Sequence, residues 1–309
     1  MHRANASALL LLGLLACAPS RPPAALGWSL GGEAHVFIAG DRFARDLYRQ
    51  LTGSGDLIDS LRSKPLIAVD PNARHSATVL SANGAAAGRL VLARFHARRA
   101  CGHAESVTEL VFAFPPGGAA GRSTPPSHVP VVALLDAQPF VGGAGTPAAA
   151  LPRNAALRLV TLVALRADST SGTPVALLQA LALDADQASD AGEVVPLFHG
   201  AASRYAVGFR ARFVRAADTV LITGVAVTDT ALRGVSWPVR PRRTRLVGGM
   251  ISAGARRYSL RGAVAGEGGG TLLLIDAIAD MNVGDSRAMA LDAVTRNVIA
   301  EQPLALRCP

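Results

Sequence analysis

Histidine, cysteine and glutamate side chains are concentrated between residues 96 and 109, where the sequence could support acid–base or metal chemistry. The group consists of His96, Cys101, His103, Glu105 and Glu109. His103 and Glu105 are two residues apart, so on a strand they would share one face. A histidine beside a carboxylate can transfer protons or bind a metal ion. His96, His103 and Glu105 are therefore the catalytic candidates, although a solvated polar loop beside a disulfide is the interpretation that we favour.

The local signatures of metal and phosphate sites are missing from the sequence. It has no H-E-x-x-H, H-x-H or C-x-x-C pair. The glycine-rich segments 142–145 and 266–270 lack the G-x-G-x-x-G spacing, and no G-K-[ST] occurs. We therefore predict no metal site and no cofactor. A dispersed catalytic triad stays open, because triads occur in several chain orders without a local motif.

The amino terminus carries the pattern of an export signal. His2 and Arg3 precede an apolar run over residues 8–16, which matches the first two regions of a secretory signal peptide. The run is shorter than the roughly 20 residues that span a bilayer. It ends in Leu14-Leu15-Ala16-Cys17, which resembles the lipobox of bacterial lipoproteins. The resemblance implies cleavage before Cys17 and a lipid on its thiol; ordinary signal cleavage downstream of this residue is the alternative.

The chain divides into five predicted segments. Residues 1–16 are the signal peptide, and residues 17–27 are a lipidated, proline-rich tether. Residues 28–115 form a mixed α+β region, followed by a linker rich in Gly, Pro and Ser over residues 116–130. Residues 131–309 form an antiparallel β domain.

The predicted fold class is mainly β: an antiparallel β-sandwich or barrel-like hairpin domain with a smaller mixed α+β N-terminal region. Pairs of apolar segments joined by polar or glycine-rich turns predict hairpins. The pairs are 156–166 with 175–183, 205–214 with 220–228, 258–264 with 271–278, and 288–294 with 298–306. In the N-terminal region, the apolar spacing after Asp41 predicts a helix with this residue as its N-cap and an end at Gly53.

Two cysteines remain beyond the signal, Cys101 and Cys308. An exported chain enters a compartment that permits disulfides. We therefore predict a Cys101–Cys308 bond, with two buried free thiols as the alternative. Such a bond would join the end of the chain to its N-terminal half.

Arginine dominates the positive charge. The formal net charge is +9, and Lys64 is the only lysine. Four arginines crowd one segment and form the candidate anion-binding site: Arg240, Arg242, Arg243 and Arg245. Arginine forks suit phosphate and carboxylate groups, although an Arg-biased composition could also produce this cluster as a solvated loop. An exported protein does not normally meet nucleic acid, so an anionic lipid or envelope polymer is the expected partner.

These features predict an exported envelope protein that is held at a bacterial membrane by its N-terminal lipid, in the periplasm or on the cell surface. The leading hypothesis is a non-catalytic binding or assembly module, whose partner is an anionic envelope polymer or an envelope protein. The alternative is an exported hydrolase with a dispersed His/carboxylate site.

Overall fold

The computed structural model of the chain describes residues 24–53, 66–70, 76–81, 84–96, 106–114, 129–135, 148–169, 192–198, 204–215, 218–247, 250–251, 256–266, 270–279 and 285–304. These residues form sixteen strands and two helices. The strands belong to three sheets whose recorded pairings are antiparallel. The predicted fold class is confirmed.

Six strands close into a barrel, and a seventh pairs beside them. The strands are β1 (Ala24–Leu30), β2 (Glu33–Ala39), β3 (Leu66–Ala68), β4 (Ser76–Ser81), β5 (Gly84–His96), β6 (Val107–Ala113) and β7 (Val129–Leu135). The ring runs β5–β4–β7–β1–β2–β6 and closes where β6 pairs with β5. The long β5 strand pairs with β4 through its first half and with β3 through its second. Closure removes the free edges that a sheet of this size would otherwise expose.

Helix α1 (Asp41–Thr52) packs against the barrel interior. Its Ala44 and Tyr48 are buried in the same core as the inward-facing side chains of the strands. The helix ends, as predicted, at Gly53, whose φ of 70° is left-handed and favours glycine. The predicted N-cap is wrong: Gly40 precedes the helix, and Asp41 is its first residue. The Asp41 carboxylate instead accepts a hydrogen bond of 2.9 Å from the backbone N–H of Ser106, which ties the helix to the start of β6.

The second sheet is covered on one face by helix α2 (Arg153–Ser169). Its strands, in the order β12–β11–β10–β9–β8, are β8 (Gly192–Pro196), β9 (Tyr205–Arg215), β10 (Asp218–Thr228), β11 (Ser236–Val247) and β12 (Met250–Ile251). The β9–β10 hairpin was predicted correctly. The predicted strand over residues 156–166 is wrong, because this segment lies within α2; its predicted partner, 175–183, lies outside the described residues. Leu159, Val163 and Ala167 recur every four residues and are buried against the sheet, which is the stripe of an amphipathic helix.

The third sheet lies between the second sheet and the barrel. Its strands run in the order β13 (Arg256–Ala265), β14 (Thr271–Ala279), β15 (Arg287–Asp292) and β16 (Val298–Pro303), as the two predicted hairpins require. Leu273 and Ile275 pack against the second sheet, whereas Leu272 and Leu274 pack against the barrel. Because β14 is covered on both faces, residues 272–275 form a continuous apolar run rather than an alternating one.

One polar side chain extends the contact between the barrel and the third sheet. Gln302 on β16 donates to the carbonyl of Leu26 on β1 at 3.3 Å, and accepts from the N–H of the same residue at 3.4 Å. Its amide therefore imitates the pairing of a neighbouring strand. The layers follow in the order α2, second sheet, third sheet and barrel.

The barrel extends past both ends of the predicted mixed region. β1 begins at Ala24, so residues 24–27 belong to the barrel and not to a tether. β7 lies mostly beyond the predicted linker, yet it pairs with β1 and β4 and completes the ring. Residues 1–23, with Cys17, lie outside the described residues, as do Cys101 and Cys308 of the predicted disulfide. Neither helix of the described part is long and apolar enough to cross a membrane.

Candidate functional site

Three strands of the barrel bring two histidines and an arginine to one carboxylate, Glu109. Arg94 on β5 lies directly opposite Glu109 on β6, and His96 follows two residues later on the same face of β5. His35 comes from β2 on the other side of β6. We call His35, Arg94, His96 and Glu109 the Glu109 cluster. It lies on the outer wall of the barrel, because the residues adjacent in sequence point into the interior core.

Both oxygens of the Glu109 carboxylate are bonded to neighbouring side chains. His35 Nδ1 lies 2.9 Å from Oε1, and Arg94 Nη1 lies 2.9 Å from Oε2. His96 Nε2 lies 3.6 Å from Oε2, outside hydrogen-bond distance, and is buried without a partner. Burial alone raises the pKa of Glu109, but the hydrogen bond from His35, the nearby ring of His96 and the charge of Arg94 outweigh it and lower the pKa to about 2.

The Glu109 cluster contains a carboxylate–histidine pair, which is part of the arrangement that acid–base catalysis requires. A carboxylate that accepts from one ring nitrogen fixes the tautomer and orientation of a histidine, as in hydrolase triads. Among the described residues, however, no serine, threonine or cysteine is bonded to either histidine. In the same part of the chain, no group of three or more His, Cys, Asp or Glu side chains is arranged so that it could hold a metal ion. The structure thus brings His96 close to Glu109 without a hydrogen bond between them. The other two catalytic candidates, His103 and Glu105, lie outside the described residues.

One nucleophile-elbow pattern, G-x-S-x-G, occurs at Gly27-Trp28-Ser29-Leu30-Gly31. An elbow requires a sharp turn from a strand into a helix. Ser29 instead lies within β1, is only 2% exposed, and is followed by the hairpin turn into β2. The pattern therefore does not produce a nucleophile here.

The four arginines of the predicted anion site do not share one face of β11. Arg243 points toward α2 and donates a bond of 3.2 Å to Asp168, which is fully buried. Arg245 lies opposite Val220, which packs in the same helix-facing core. Arg242 lies opposite Thr223, whose hydroxyl bonds toward the third sheet.

The fourth arginine, Arg240, is exposed beside an irregularity in the β10–β11 register. Because neighbouring residues of a strand point to opposite sides, a run of arginines on β11 is divided between two surfaces. The arginines that converge on a single cleft come from strands other than β11.

A cleft of about 270 Å³ opens between the second and third sheets and is lined by charged residues. We call it the inter-sheet cleft and define it by Glu193, Arg210, Arg257, Tyr258, Ser259 and Arg261. Arg210 projects from β9 toward the third sheet, on the face opposite Phe209, as the alternation of β9 predicts. Gly208 forms the floor: a Cβ there would lie 2.8 Å from the Cβ of Leu260, so only glycine permits this approach.

Two carboxylates balance part of the positive charge of the cleft. Arg261 Nε donates to Asp276, at 2.6 Å, and the Ser259 hydroxyl donates to Glu193, at 3.4 Å. Glu193 is on β8 directly opposite Gly208, so its side chain is on the same face as the cleft. Although Glu193 is partly exposed, burial against the cleft wall raises its pKa; Arg261 and Ser259 act in the opposite direction, and Asp276 raises it further.

The sequence contained only part of the signal for this cleft. Arg257 and Arg261 follow the predicted arginine cluster along the chain, but Arg210 and Glu193 are 47 and 64 residues before Arg257, on strands of another sheet. Nothing in the local sequence relates them, because the packing of one sheet on another creates the site.

Comparison with known proteins gives no relative: no protein-family model, curated protein or solved structure matches this chain. Functional inference therefore depends on the residues and their geometry.

Proposed function

We propose that this protein is an exported, lipid-anchored envelope protein that binds a phosphodiester-bearing envelope component without catalysing its conversion. The observation that supports the proposal is the convergence of Arg210, Arg257 and Arg261 on the inter-sheet cleft. Phosphodiesters are the anionic groups shared by membrane lipids and by many envelope polymers. The ligand class therefore follows from arginine chemistry and from the predicted location of the chain.

The cleft has the donors that such a ligand needs. Each guanidinium presents five N–H donors in a planar fork, so an arginine that already bonds within the protein can still bind a ligand oxygen. Three arginines against Glu193 and Asp276 leave the site positive by about one charge. Its volume lies just below the roughly 300–1,000 Å³ of small-molecule sites, which suits a group of headgroup size.

The lipid anchor is supported by the lipobox-like sequence that ends at Cys17. The test is intact-mass spectrometry of the membrane fraction, comparing the native chain with Cys17→Ala. We expect a diacylglyceryl or triacyl mass on a chain that begins at Cys17, and its loss in the variant. An unmodified chain in the soluble fraction would overturn the anchor. A two-dalton gain on reduction would establish the Cys101–Cys308 bond in the same experiment.

Binding at the cleft is tested by calorimetry with glycerophosphoglycerol, a soluble phosphodiester. The key variant is Arg210→Ala/Arg257→Ala, which removes two cleft arginines. The matched control is Arg240→Ala/Arg242→Ala, which removes the same charge from the candidate segment on β11. Thermal unfolding of each variant shows whether the fold is retained.

We expect the cleft variant to weaken binding more than about tenfold, since each charge-assisted hydrogen bond contributes about 1.5–3 kcal/mol. The control should change affinity less than about twofold. Equal losses of affinity in both variants would indicate non-specific attraction to a basic chain. A loss of affinity only in the control would mean that the binding site is on β11 and not in the cleft. Co-sedimentation with phosphatidylglycerol vesicles and competition by soluble poly(glycerol phosphate) then distinguish a lipid from a polymer as the source.

A second candidate function, an exported hydrolase, is favoured by the bond between His35 and Glu109. In that role His35 would act as a general base oriented by the carboxylate. The test is hydrolysis of chromogenic carboxylic and phosphate esters by the native chain and by His35→Ala. Turnover that disappears in the variant would support the hydrolase, and identical background rates would exclude it for these substrates.

A further inference from the structure

Glu193 is an acidic residue in an otherwise basic binding cleft. It projects from the edge strand β8 toward the same space as Arg210 and Arg261. Its carboxyl accepts a hydrogen bond of 3.4 Å from Ser259 and interacts electrostatically with Arg261 and Asp276. A carboxylate in this position occupies space and positive charge that an anionic ligand would also need.

We propose that Glu193 competes with the ligand for the cleft arginines, so that phosphodiester binding is coupled to protonation of this residue and tightens as the pH falls. This inference rests on the proposed function and assigns the regulation of the same site. The charged and titratable groups that face Glu193 are Arg210, Arg257, Tyr258, Arg261 and Asp276. The arginines stay charged at all accessible pH values, and Asp276 is already bonded to Arg261 at 2.6 Å. We therefore assign the change in charge on binding to Glu193, whose carboxyl faces the cleft.

The direction of the coupling follows from like-charge repulsion. A bound phosphodiester brings a negative charge next to Glu193, which disfavours the ionised form of the carboxyl and raises its pKa. Binding therefore takes up a proton, and by linkage a lower pH favours the complex. Burial and the neighbouring Asp276 already raise the pKa in the free protein, so protonation needs less additional driving force.

The experiment measures the dissociation constant of glycerophosphoglycerol by calorimetry from pH 5 to pH 8. A phosphodiester keeps one negative charge over this range, so any pH dependence belongs to the protein. Glu193→Gln removes the carboxylate and keeps the size and hydrogen bonding of the side chain. Glu193→Asp keeps a carboxylate, and Glu301→Gln removes an exposed carboxylate from β16, outside the cleft.

We expect the native protein, Glu193→Asp and Glu301→Gln to bind more weakly as pH rises, by up to about tenfold per pH unit for one coupled proton. Glu193→Gln should bind at least as tightly as the native protein does at pH 5, with little change up to pH 8. Native-like pH dependence in Glu193→Gln would overturn the inference and leave the proposed function intact. Absence of binding by the native protein at every pH would overturn the proposed function itself.

Discussion

The charge of Glu109 should stabilise the barrel, and removing it gives a quantitative test. In Glu109→Gln the side chain keeps its size and can still accept hydrogen bonds, but it loses the negative charge that faces Arg94. A carboxyl whose pKa falls from 4.5 to about 2 on folding contributes about 3 kcal/mol at neutral pH, at 1.36 kcal/mol per pKa unit. Because Arg94 is 43% exposed, solvent screening reduces this figure, and we expect a loss of about 1–3 kcal/mol.

The pH dependence of that loss has a definite sign. The folded pKa is depressed, so the contribution is fully present above the unfolded value of 4.5 and disappears as the pH falls toward 2. The difference in unfolding free energy between the native protein and Glu109→Gln should therefore still be present at pH 5 and shrink below pH 4.5. Urea unfolding at pH 7, 5, 4 and 3 measures it.

The matched control is Glu301→Gln. Glu301 is half exposed and lies 3.8 Å from Arg287 on the neighbouring strand. This pair has the same residue types as Glu109 and Arg94, but its carboxylate is not buried. An exposed pair contributes about 0–1 kcal/mol. A Glu109→Gln loss no larger than that of the control, or one that stays constant down to pH 3, would refute the reasoning.

Three further changes and one exposed control test the packing of the layers, each measured as the free energy of unfolding in urea. Arg243→Ala should cost about 3 kcal/mol, because it removes the cation that bonds the buried carboxylate of Asp168 at 3.2 Å; a loss below about 1 kcal/mol would contradict the buried pair. Leu273→Ala, at a fully buried site, should cost about 2–5 kcal/mol, whereas Val294→Ala, at a site 72% exposed, should change stability by less than about 0.5 kcal/mol. Gly208→Val should cost about 1–3 kcal/mol, because the added side chain meets the third sheet; an unchanged stability would mean that the sheets do not approach closely there.

Much of the β architecture was accessible from sequence because alternation and turns are local signals. The hairpins formed by β9 with β10, β13 with β14, and β15 with β16 were predicted from apolar segments around polar or glycine turns. Helix α1 was predicted from its apolar spacing. The segment of α2 was misread as a strand, since a short apolar run does not distinguish a buried helix from a strand by period alone.

Barrel closure and domain boundaries could not be predicted from local sequence patterns. The strand order places β7 between β4 and β1, although the chain passes through the predicted linker before reaching it. Which strands pair depends on contacts between residues that are distant in sequence, and a proline- and glycine-rich segment marks a loop without saying whether a domain ends there.

The sequence by itself determined that the chain is mainly β, that a helix lies in the segment after Asp41 and ends at Gly53, and that arginine supplies its positive charge. Only the tertiary structure decided which side chains meet. The two faces of β11 separate the arginines that are neighbours in sequence, whereas the packing of the third sheet on the second brings Arg210 and Glu193 to Arg257 and Arg261. The physical reason is that a strand turns successive side chains to opposite sides, so a charged site in a β protein is assembled across strands and sheets and not along the chain.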